Sequence, residues 1–388
     1  MNSPFVIRVP SKQEILYFFL FFAHMSPSRL IKISGLFNTL FDVARVISCL
    51  IIIYLYIRNK RKPTSFLLLL ICSEIWLLVT TFINGQSEIK LAIITVSSAI
   101  AVAMGIEMFS YDRKKLVNSL MLIYEILIYV NFVSVIKYPS GYPGERNIFF
   151  LGSDNTLILY LFPAIFVALL YMEQNRKYLR GLLLCIISAA TILINWSATS
   201  VVALFGASVI LVYGLILKRN VSLKALWIIT FCLSIFMIFF FASSSIPFMD
   251  YIITSILGKN STLTGRVYVW ETVIELVKKK FFIGYGFGQG LSYSYSVIHT
   301  ASHAHNEYLQ QFFQAGLIGF ILFVIQNFVL AKKIDTINSK VFKIITSAIV
   351  FGLFITYITE AYLNFWRFYF VFALAFNLYA IGEEGERL

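Results

Sequence analysis

Residues 36–57 read LFNTLFDVARVISCLIIIYLYI, and residues 58–62, which follow directly, read RNKRK. An α-helix needs a stretch of about 20 predominantly apolar residues to cross the hydrocarbon core of a bilayer, and this run has that length and character. A cluster of lysines and arginines directly after such a run is typical of the cytoplasmic end of a transmembrane helix. The stretch therefore predicts a membrane-spanning helix whose carboxyl end lies on the cytoplasmic side.

The same alternation of apolar runs and short polar connections continues through all 388 residues. Hydrophobic residues make up 59% of the chain and charged residues 13%, whereas soluble domains hold about 25% charged residues. A water-soluble enzyme, a disordered chain and a secreted disulfide scaffold are therefore excluded. We predict an all-α, polytopic integral membrane protein with about 12 transmembrane helices. The predicted spans are residues 14–25, 36–57, 65–84, 91–109, 116–136, 156–172, 181–197, 200–217, 225–242, 308–330, 344–363 and 368–382.

Basic residues predict the orientation of the chain in the membrane. When the N-terminus is placed in the cytoplasm, 20 lysines and arginines fall in inner loops, 11 in outer loops and one, Arg45, within a span. Every short, strongly basic loop then lies on one side, as the positive-inside rule requires. The net charge of +13 is therefore a signal of topology, and no nucleic-acid partner is expected. Both termini are predicted to be cytoplasmic.

Two predicted outer segments are much longer than a turn, residues 137–155 and residues 243–307. Connections of this length in a compact protein are usually functional. We therefore divide the chain into three parts. These are an N-terminal transmembrane bundle of nine spans over 1–242, which includes the outer loop 137–155, a long extracytoplasmic loop over 243–307, and C-terminal transmembrane helices over 308–388.

The long outer loop contains a predicted amphipathic helix within residues 261–283. Its apolar residues recur at helical spacing, and its charged residues occupy the other face. The apolar set is Val269, Trp270, Val273, Ile274 and Val277, and the charged set is Glu271, Glu275 and Lys278. This pattern is typical of a helix that lies at a membrane interface, with Trp270 at the depth of the lipid headgroups. Arg266 is expected in its first turn.

Candidate chemistry concentrates on the predicted outer side, where all four histidines fall. His305 and Asn306 directly precede the tenth predicted span, so an imidazole there can meet both water and lipid. Arg146 in the shorter loop and Arg266 in the longer one are the arginines that we expect to face water. His303 and His305 could ligate a metal, but no nearby cysteine or carboxylate cluster in the sequence completes a site. Metal binding is therefore the less favoured interpretation.

The region around His305 resembles the O-antigen ligase and O-antigen polymerase superfamily. The signature of that superfamily is a His-Asn pair, nine residues and then Gly-x-x-Gly. His305-Asn306, residues 307–315, Gly316 and Gly319 fit this signature residue for residue. The two glycines are expected to permit close helix packing.

A second patch supports the same resemblance. Arg146, Gly152 and Asn155 are similar to the Arg…Gly…Asn pattern that the superfamily carries in a shorter outer loop. The sequence departs from the superfamily at residues 196–200, where members often carry Ser-Arg and this chain has WSATS.

The resemblance implies a metal-independent glycosyltransferase with the C-type glycosyltransferase fold and one long outer loop. Its donor would be an undecaprenyl-diphosphate-linked oligosaccharide, used at the outer face of a bacterial plasma (inner) membrane. No cofactor is implied. Besides the lipid-linked donor and membrane lipid, a chain-length regulator and a flippase are the expected partners.

The resemblance also implies roles for individual residues. Arg146 and Arg266 would hold the diphosphate and stabilise the negative charge that grows on it. His305 would take the proton from the acceptor hydroxyl, with His303 as the second choice. Asn306 would orient the imidazole or bind sugar. The residues expected to bind substrate are His303, Asn306, Asn155 and Trp270.

Three functions remain open on the sequence. A polysaccharide polymerase is favoured, a ligase that moves finished glycan to a lipid, protein or other acceptor is the alternative, and the signature does not separate them. A flippase or other transporter is less favoured, because transporters place ionisable groups near the bilayer midplane. The predicted spans hold few such groups: Asp42, Arg45, Glu74, Glu107, Glu125 and Glu360.

Overall fold

Helices and short connections between them make up nearly all of the structure, which is a computed structural model. It describes residues 10–85, 89–242, 266–287, 303–362 and 367–377. These residues divide into two compact units. The first unit is built from residues 10–61 and 104–197, and the second from residues 62–103 and the described residues from 198 onwards.

Fourteen helices and one small hairpin are described. The helices are α1 (Lys12–Phe22), α2 (Ser28–Ile33), α3 (Gly35–Arg58), α4 (Ser65–Ile83), α5 (Ile89–Phe109), α6 (Arg113–Lys137), α7 (Ile158–Asn175), α8 (Tyr178–Asn195), α9 (Ala198–Leu211), α10 (Leu223–Ala242), α11 (Arg266–Lys279), α12 (Glu307–Asp335), α13 (Lys340–Thr356) and α14 (Arg367–Asn377). A 3₁₀ turn lies at Ser110–Asp112, and a π-helical turn at Val212–Ile216 follows α9. Strands β1 (Gly141–Tyr142) and β2 (Glu145–Arg146) pair antiparallel.

The length and apolar composition of the helices confirm the predicted fold class. Seven helical stretches among the described residues are long and apolar enough to cross a membrane. They are Gly35–Arg58, Ser65–Ile83, Ile89–Lys137, Ile158–Asn175, Tyr178–Asn195, Ala198–Ile216 and Glu307–Asp335. The chain is therefore an all-α, multi-pass membrane protein. The predicted count of about 12 spans is not confirmed, partly because Ile89–Lys137 combines two predicted spans in one stretch.

Polar residues fix where several of these helices begin. The side chains of Ser34, Thr64 and Ser339 each accept a hydrogen bond from a backbone N–H in the first turn of α3, α4 and α13. Such a cap satisfies a donor that has no partner within the helix. The predicted spans 36–57 and 65–84 consequently agree with α3 and α4 to within one residue at each end.

Small residues bring helices close together within each unit. In the first unit a Cβ atom at Gly181 of α8 would lie 2.9 Å from the backbone oxygen of Ala168 in α7. In the second unit a Cβ atom at Gly206 of α9 would lie 2.3 Å from Cδ1 of Ile355 in α13. Any side chain at these two positions would overlap the neighbouring helix, and glycine therefore permits the close packing of each helix pair.

The second unit is organised around α12, which packs against α4, α10, α11 and α14. This helix is interrupted at Gly316, where φ is 62° and ψ is −166°. The interruption frees backbone groups, and the segment 281–287 satisfies them. The N–H groups of Tyr285 and Gly286 donate to the carbonyls of Phe313 and Gln314 at 2.9 and 2.8 Å, and Leu317 donates to Phe281 at 2.8 Å. Non-helical backbone within an apolar helix is tolerated where protein covers it in this way.

The expected role of the Gly-x-x-Gly pair is therefore only half right. Gly319 does face a neighbouring helix, since a Cβ there would lie 3.2 Å from Cδ1 of Trp76 in α4. Gly316 instead makes a chain break possible. A Cβ there would lie 2.3 Å from the carbonyl oxygen of Phe282, and its positive φ disfavours every other residue.

Replacing Gly316 by alanine is expected to lower the thermal stability of the purified protein. The backbone conformation at Gly316 costs a non-glycine residue about 1–3 kcal/mol, and the clash with Phe282 adds to that cost. Thermal unfolding in detergent measures the change. Gly35→Ala is the matched control, because nothing lies within 4 Å of a Cβ at Gly35. Equal melting temperatures for the two variants would contradict this explanation.

The predicted three-part division of the chain stays a prediction. Most of the predicted outer loop 243–307 lies outside the described residues, including His299, one of the four histidines. The described landmarks are α11 and the start of α12 at Glu307, one residue from the predicted boundary at 308.

Candidate functional site

Helix α11 fulfils the predicted amphipathic pattern. Val269, Trp270, Val273 and Val277 are buried, whereas Glu275 and Lys278 are exposed. The apolar face packs against residues of α10 and α12. The expectation that this face lies in the membrane interface is therefore wrong, because other helices of the second unit cover it.

Trp270 of α11 has no exposed surface, so its expected place among the lipid headgroups is corrected. Its indole N–H donates to the carbonyl oxygen of Ala304 at 2.9 Å. The N–H of Ala304 in turn donates to Oε1 of Gln310 in α12 at 2.8 Å. The backbone beside His303 and His305 is thus held from both sides. Trp270 is bonded to the backbone between these histidines, and its side chain has no exposed surface in this conformation.

Asn306 forms the N-cap of α12, with its Oδ1 accepting from the N–H of Leu309 at 3.0 Å. Its amide group donates to Oγ of Ser234 in α10 at 2.7 Å and to the carbonyl of Ile358 at 3.1 Å. The side chain is fully buried. Because its donors and its acceptor are all engaged, Asn306 ties three segments together. The hydrogen bonds described for Asn306 do not include the His305 imidazole, and its expected contact with sugar stays a prediction.

Glu360 is the residue that joins the candidate catalytic groups. Its Oε1 accepts from Nη2 of Arg266 at 2.9 Å, and its Oε2 lies 3.3 Å from Nδ1 of His305. The carboxylate side chain is 2% exposed, whereas those of Arg266 and His305 are 23% and 25% exposed. A buried carboxylate therefore holds a guanidinium and an imidazole that both remain accessible.

Glu360 was not among the site residues predicted from the sequence, because it falls inside the predicted span 344–363. Helix α13 ends at Thr356, so Glu360 lies in the connection to α14. The predicted span ran on to residue 363 because the apolar residues Tyr357, Ile358, Ala361 and Tyr362 continue past the end of the helix. A single carboxylate near the end of an apolar run was the signal in the sequence, and its partner His305 is 55 positions away.

The pKa of His303 decides whether this residue can serve as a base. Burial lowers the pKa of His303 to about 4, and the nearby His305 and Arg266 act in the same direction. His303 is therefore neutral at pH 7, and its Nδ1 accepts a hydrogen bond from the backbone N–H of His305 at 3.2 Å. A group with so low a pKa is a weak base near neutrality. His303 is consequently a poorer candidate for the base than its second place in the sequence analysis implied.

Glu360 stays ionised at neutral pH. Burial alone would raise its pKa, but the hydrogen bond from His305 and the charges of His305 and Arg266 outweigh burial and lower it. Charged partners favour the charged form of a carboxyl group in this way. The cluster therefore contains a carboxylate anion between two groups that can carry positive charge.

The backbone of His305 is also unusual, with a φ of 47° in the left-handed region. A non-glycine residue pays an energetic cost there, and such residues cluster at functional sites. The bonds to Ala304 and Asn306 on either side hold this conformation.

The same cluster has the donor set of a metal site. One ligand atom from each of His303, His305 and Glu360 lies within 4.8 Å of the others. The sequence shows no cysteine or carboxylate cluster beside the two histidines, whereas the structure brings the distant Glu360 to them. Two histidines and one glutamate are a donor set that zinc enzymes use. Arg266 opposes a cation here, because its guanidinium already occupies one oxygen of Glu360.

Arg146 and Asn155 lie in the first unit. Arg146 ends the β1–β2 hairpin with an exposed side chain, and no ion pair to it is found among the described residues. The neighbouring Glu145 is engaged by Arg29 at 3.1 Å and by Lys32 at 3.2 Å. Oδ1 of Asn155 accepts from Oγ of Ser197 at 2.9 Å. The substrate contacts expected of Arg146 and Asn155 stay predictions.

Comparison with known proteins confirms the predicted resemblance to the O-antigen ligase and polymerase superfamily. Residues 183–324 match the family described as "O-Antigen ligase". This region includes Arg266, His303 and His305, and it excludes Arg146 and Glu360.

A named relative points to the same group of proteins. The "Exopolysaccharide production protein ExoQ" of Rhizobium meliloti (strain 1021) is 35% identical over 82 residues. The aligned region covers 18% of this chain and 19% of the relative. The chain thus spans only about a fifth of the length of the relative that it matches.

Proposed function

We propose that this protein is a glycosyltransferase that polymerises undecaprenyl-diphosphate-linked oligosaccharide repeat units into a surface polysaccharide. The reaction takes place at the outer face of the bacterial plasma membrane. The observation that carries the proposal is the accessible pair formed by the guanidinium of Arg266 and the imidazole of His305. Both groups contact the buried carboxylate of Glu360. Both accessible groups lie within the region that matches the O-antigen ligase family.

The chemistry needs an anion-binding group and a base. A hydroxyl of the acceptor sugar attacks the anomeric carbon of the donor, and the new glycosidic bond forms as the sugar–diphosphate bond breaks. The electron pair of the broken bond leaves with the lipid diphosphate. The planar guanidinium of Arg266 matches phosphate oxygens and stays charged, so it stabilises this leaving group. By the resemblance, Arg146 supplies a second guanidinium to the diphosphate.

The proton of the attacking hydroxyl goes to His305. Its Nδ1 faces Glu360, so Nε2 is the ring nitrogen that remains for the hydroxyl. General-base catalysis of this kind contributes typically about 10²–10⁴-fold to a rate. The imidazolium that forms beside the Glu360 carboxylate is stabilised by that charge, and it later releases its proton to water.

A ligase is the alternative, and the description of the matched family favours it. The same three groups serve either reaction, because both break the same sugar–diphosphate bond. Transport is less favoured. The charged cluster stands at the start of α11, before α12 and after α13, whereas transporters place such groups within broken or packed spans.

The test is transfer by the purified protein. The protein in nanodiscs is incubated with the lipid-linked repeat unit, and the products are separated by size. We expect a ladder of products that differ by one repeat unit. A single shifted acceptor band would establish the ligase reaction instead. Absence of any transfer with lipid-linked glycan, from protein shown to be folded, would contradict both functions.

A further inference from the structure

One buried carboxylate holds two accessible groups from different parts of the chain. Arg266 begins α11, His305 lies in the segment before α12, and Glu360 lies in the segment after α13. Each oxygen of Glu360 has one of the two partners. The relative position of the guanidinium and the imidazole is therefore set by a single side chain.

We propose that Glu360 is the positioning residue of this site: it fixes the tautomer and orientation of His305 and sets the distance from that imidazole to Arg266. The inference rests on the proposed function for its catalytic consequence. Its structural consequence, the state of the His305 ring, is measurable without any substrate.

The tautomer follows from hydrogen-bond chemistry. A carboxylate accepts only, so the ring nitrogen that faces it carries the proton. With the proton on Nδ1, the lone pair of a neutral imidazole lies on Nε2, the nitrogen that faces away from Glu360. A base whose orientation is set by a third group in this way is a recurring arrangement in nucleophilic and acyl-transfer catalysis.

The contact to Arg266 leaves that side chain competent to bind an anion. The hydrogen bond described between Arg266 and Glu360 uses one guanidinium nitrogen, Nη2. A guanidinium has five N–H donors, so the remaining ones stay available for phosphate oxygens. The carboxylate therefore holds Arg266 without consuming its bidentate face.

Glu360 is itself firmly placed. Its backbone N–H donates to the carbonyl of Thr356 at 2.9 Å, and the preceding Thr359 shares a hydrogen bond of 2.9 Å with Thr199 of α9. Further along, the N–H of Tyr362 donates to the buried carboxylate of Glu307. A group that is held on both sides in this way can hold other groups in turn.

The charged and titratable groups around the His305–Glu360 pair come from three elements. Arg266 comes from α11, His303 from the segment before α12, and Glu307 from the first turn of α12. Glu307 is common to all variants below. Removal of the Glu360 charge therefore leaves Nδ1 of His305 without its anionic acceptor, while Arg266 and His303 are unchanged.

The experiment compares Glu360→Gln with the wild type and with Glu275→Gln. Glu275 is an exposed carboxylate on α11 that forms an ion pair with the exposed Lys278, so its replacement is a matched control. The protein has four histidines, and NMR of isotope-labelled histidine follows each ring, with His305→Ala giving the assignment. In Glu360→Gln we expect the share of the Nδ1-protonated tautomer of His305 to fall, because the carboxylate that accepts from Nδ1 is gone.

Kinetics give the second readout. Loss of the orienting carboxylate is expected to lower kcat by roughly 10²–10⁴-fold with a smaller change in KM, as in other oriented imidazole bases. Glu360→Asp keeps the charge but shortens the side chain, so it should recover part of the rate and retain the tautomer.

These readouts separate the two claims. An unchanged His305 tautomer in folded Glu360→Gln would overturn the positioning role. If Glu360→Gln does not fold, Glu360→Asp and the wild type still decide, since a random tautomer of His305 in both would overturn it as well. Absence of transfer by the wild type, with the expected NMR shift intact, would contradict the proposed function and leave the positioning role supported.

Discussion

Replacing His305 by alanine is expected to abolish long-chain product while the protein remains folded in the membrane. The variant removes the ring nitrogen that accepts the proton of the attacking hydroxyl, which should lower the rate by roughly 10²–10⁴-fold. The length distribution of the polysaccharide, made in cells or by protein in nanodiscs, measures the effect. The side chain is a quarter exposed and does not fill the core, so little stability is lost.

Two further variants make this result specific. His305→Asn tests the backbone, because asparagine tolerates the positive φ of this position better than alanine does. It should be as inactive as His305→Ala, since an amide is no base. Glu275→Gln on the neighbouring helix should retain wild-type product. Polymer of normal length from either His305 variant would remove His305 as the base.

Replacing Arg266 by lysine is expected to impair transfer strongly, by roughly 10²–10³-fold in kcat. An ammonium group can still pair with Glu360, so the ion pair that supports the local structure is retained. It cannot reproduce the planar fork that matches two phosphate oxygens. The loss should therefore appear in the rate of transfer, with little change in the melting temperature.

Arg219→Lys is the matched control, because Arg219 has an exposed side chain in the connection between α9 and α10. This variant makes the same chemical change away from the site, and we expect wild-type transfer from it. Equal turnover by Arg266→Lys and Arg219→Lys would argue against a diphosphate contact at Arg266.

Much of the helix pattern was predictable from the sequence, because apolar runs and their caps are local features. The amphipathic face of α11 is an example, since Val269, Val273 and Val277 recur with the helix period and are all buried. What covers that face was not predictable. An apolar stripe has the same pattern whether lipid or another helix lies against it, and Trp270 is buried against protein.

The candidate site was predictable only in part, because single residues stand out in the sequence but their pairing depends on the fold. His305 and Arg266 stand out in sequence as ionisable groups among apolar runs, and the structure brings both to one carboxylate. Glu360 could not be assigned to them, because the pairing depends on the packing of three segments far apart in the chain. The break at Gly316 was hidden too, since the glycine pattern does not distinguish close packing from a left-handed backbone.

The most direct test of the central claim measures how many lipid diphosphates are released for each glycosidic bond formed. Protein in nanodiscs is given a lipid-linked repeat unit, and released undecaprenyl diphosphate is counted against new glycosidic bonds. A transferase that uses a lipid diphosphate as its leaving group must release one carrier for each bond it forms, and His305→Asn should slow release and bond formation to the same extent. Growth of the glycan without a matching release of lipid diphosphate would contradict the account.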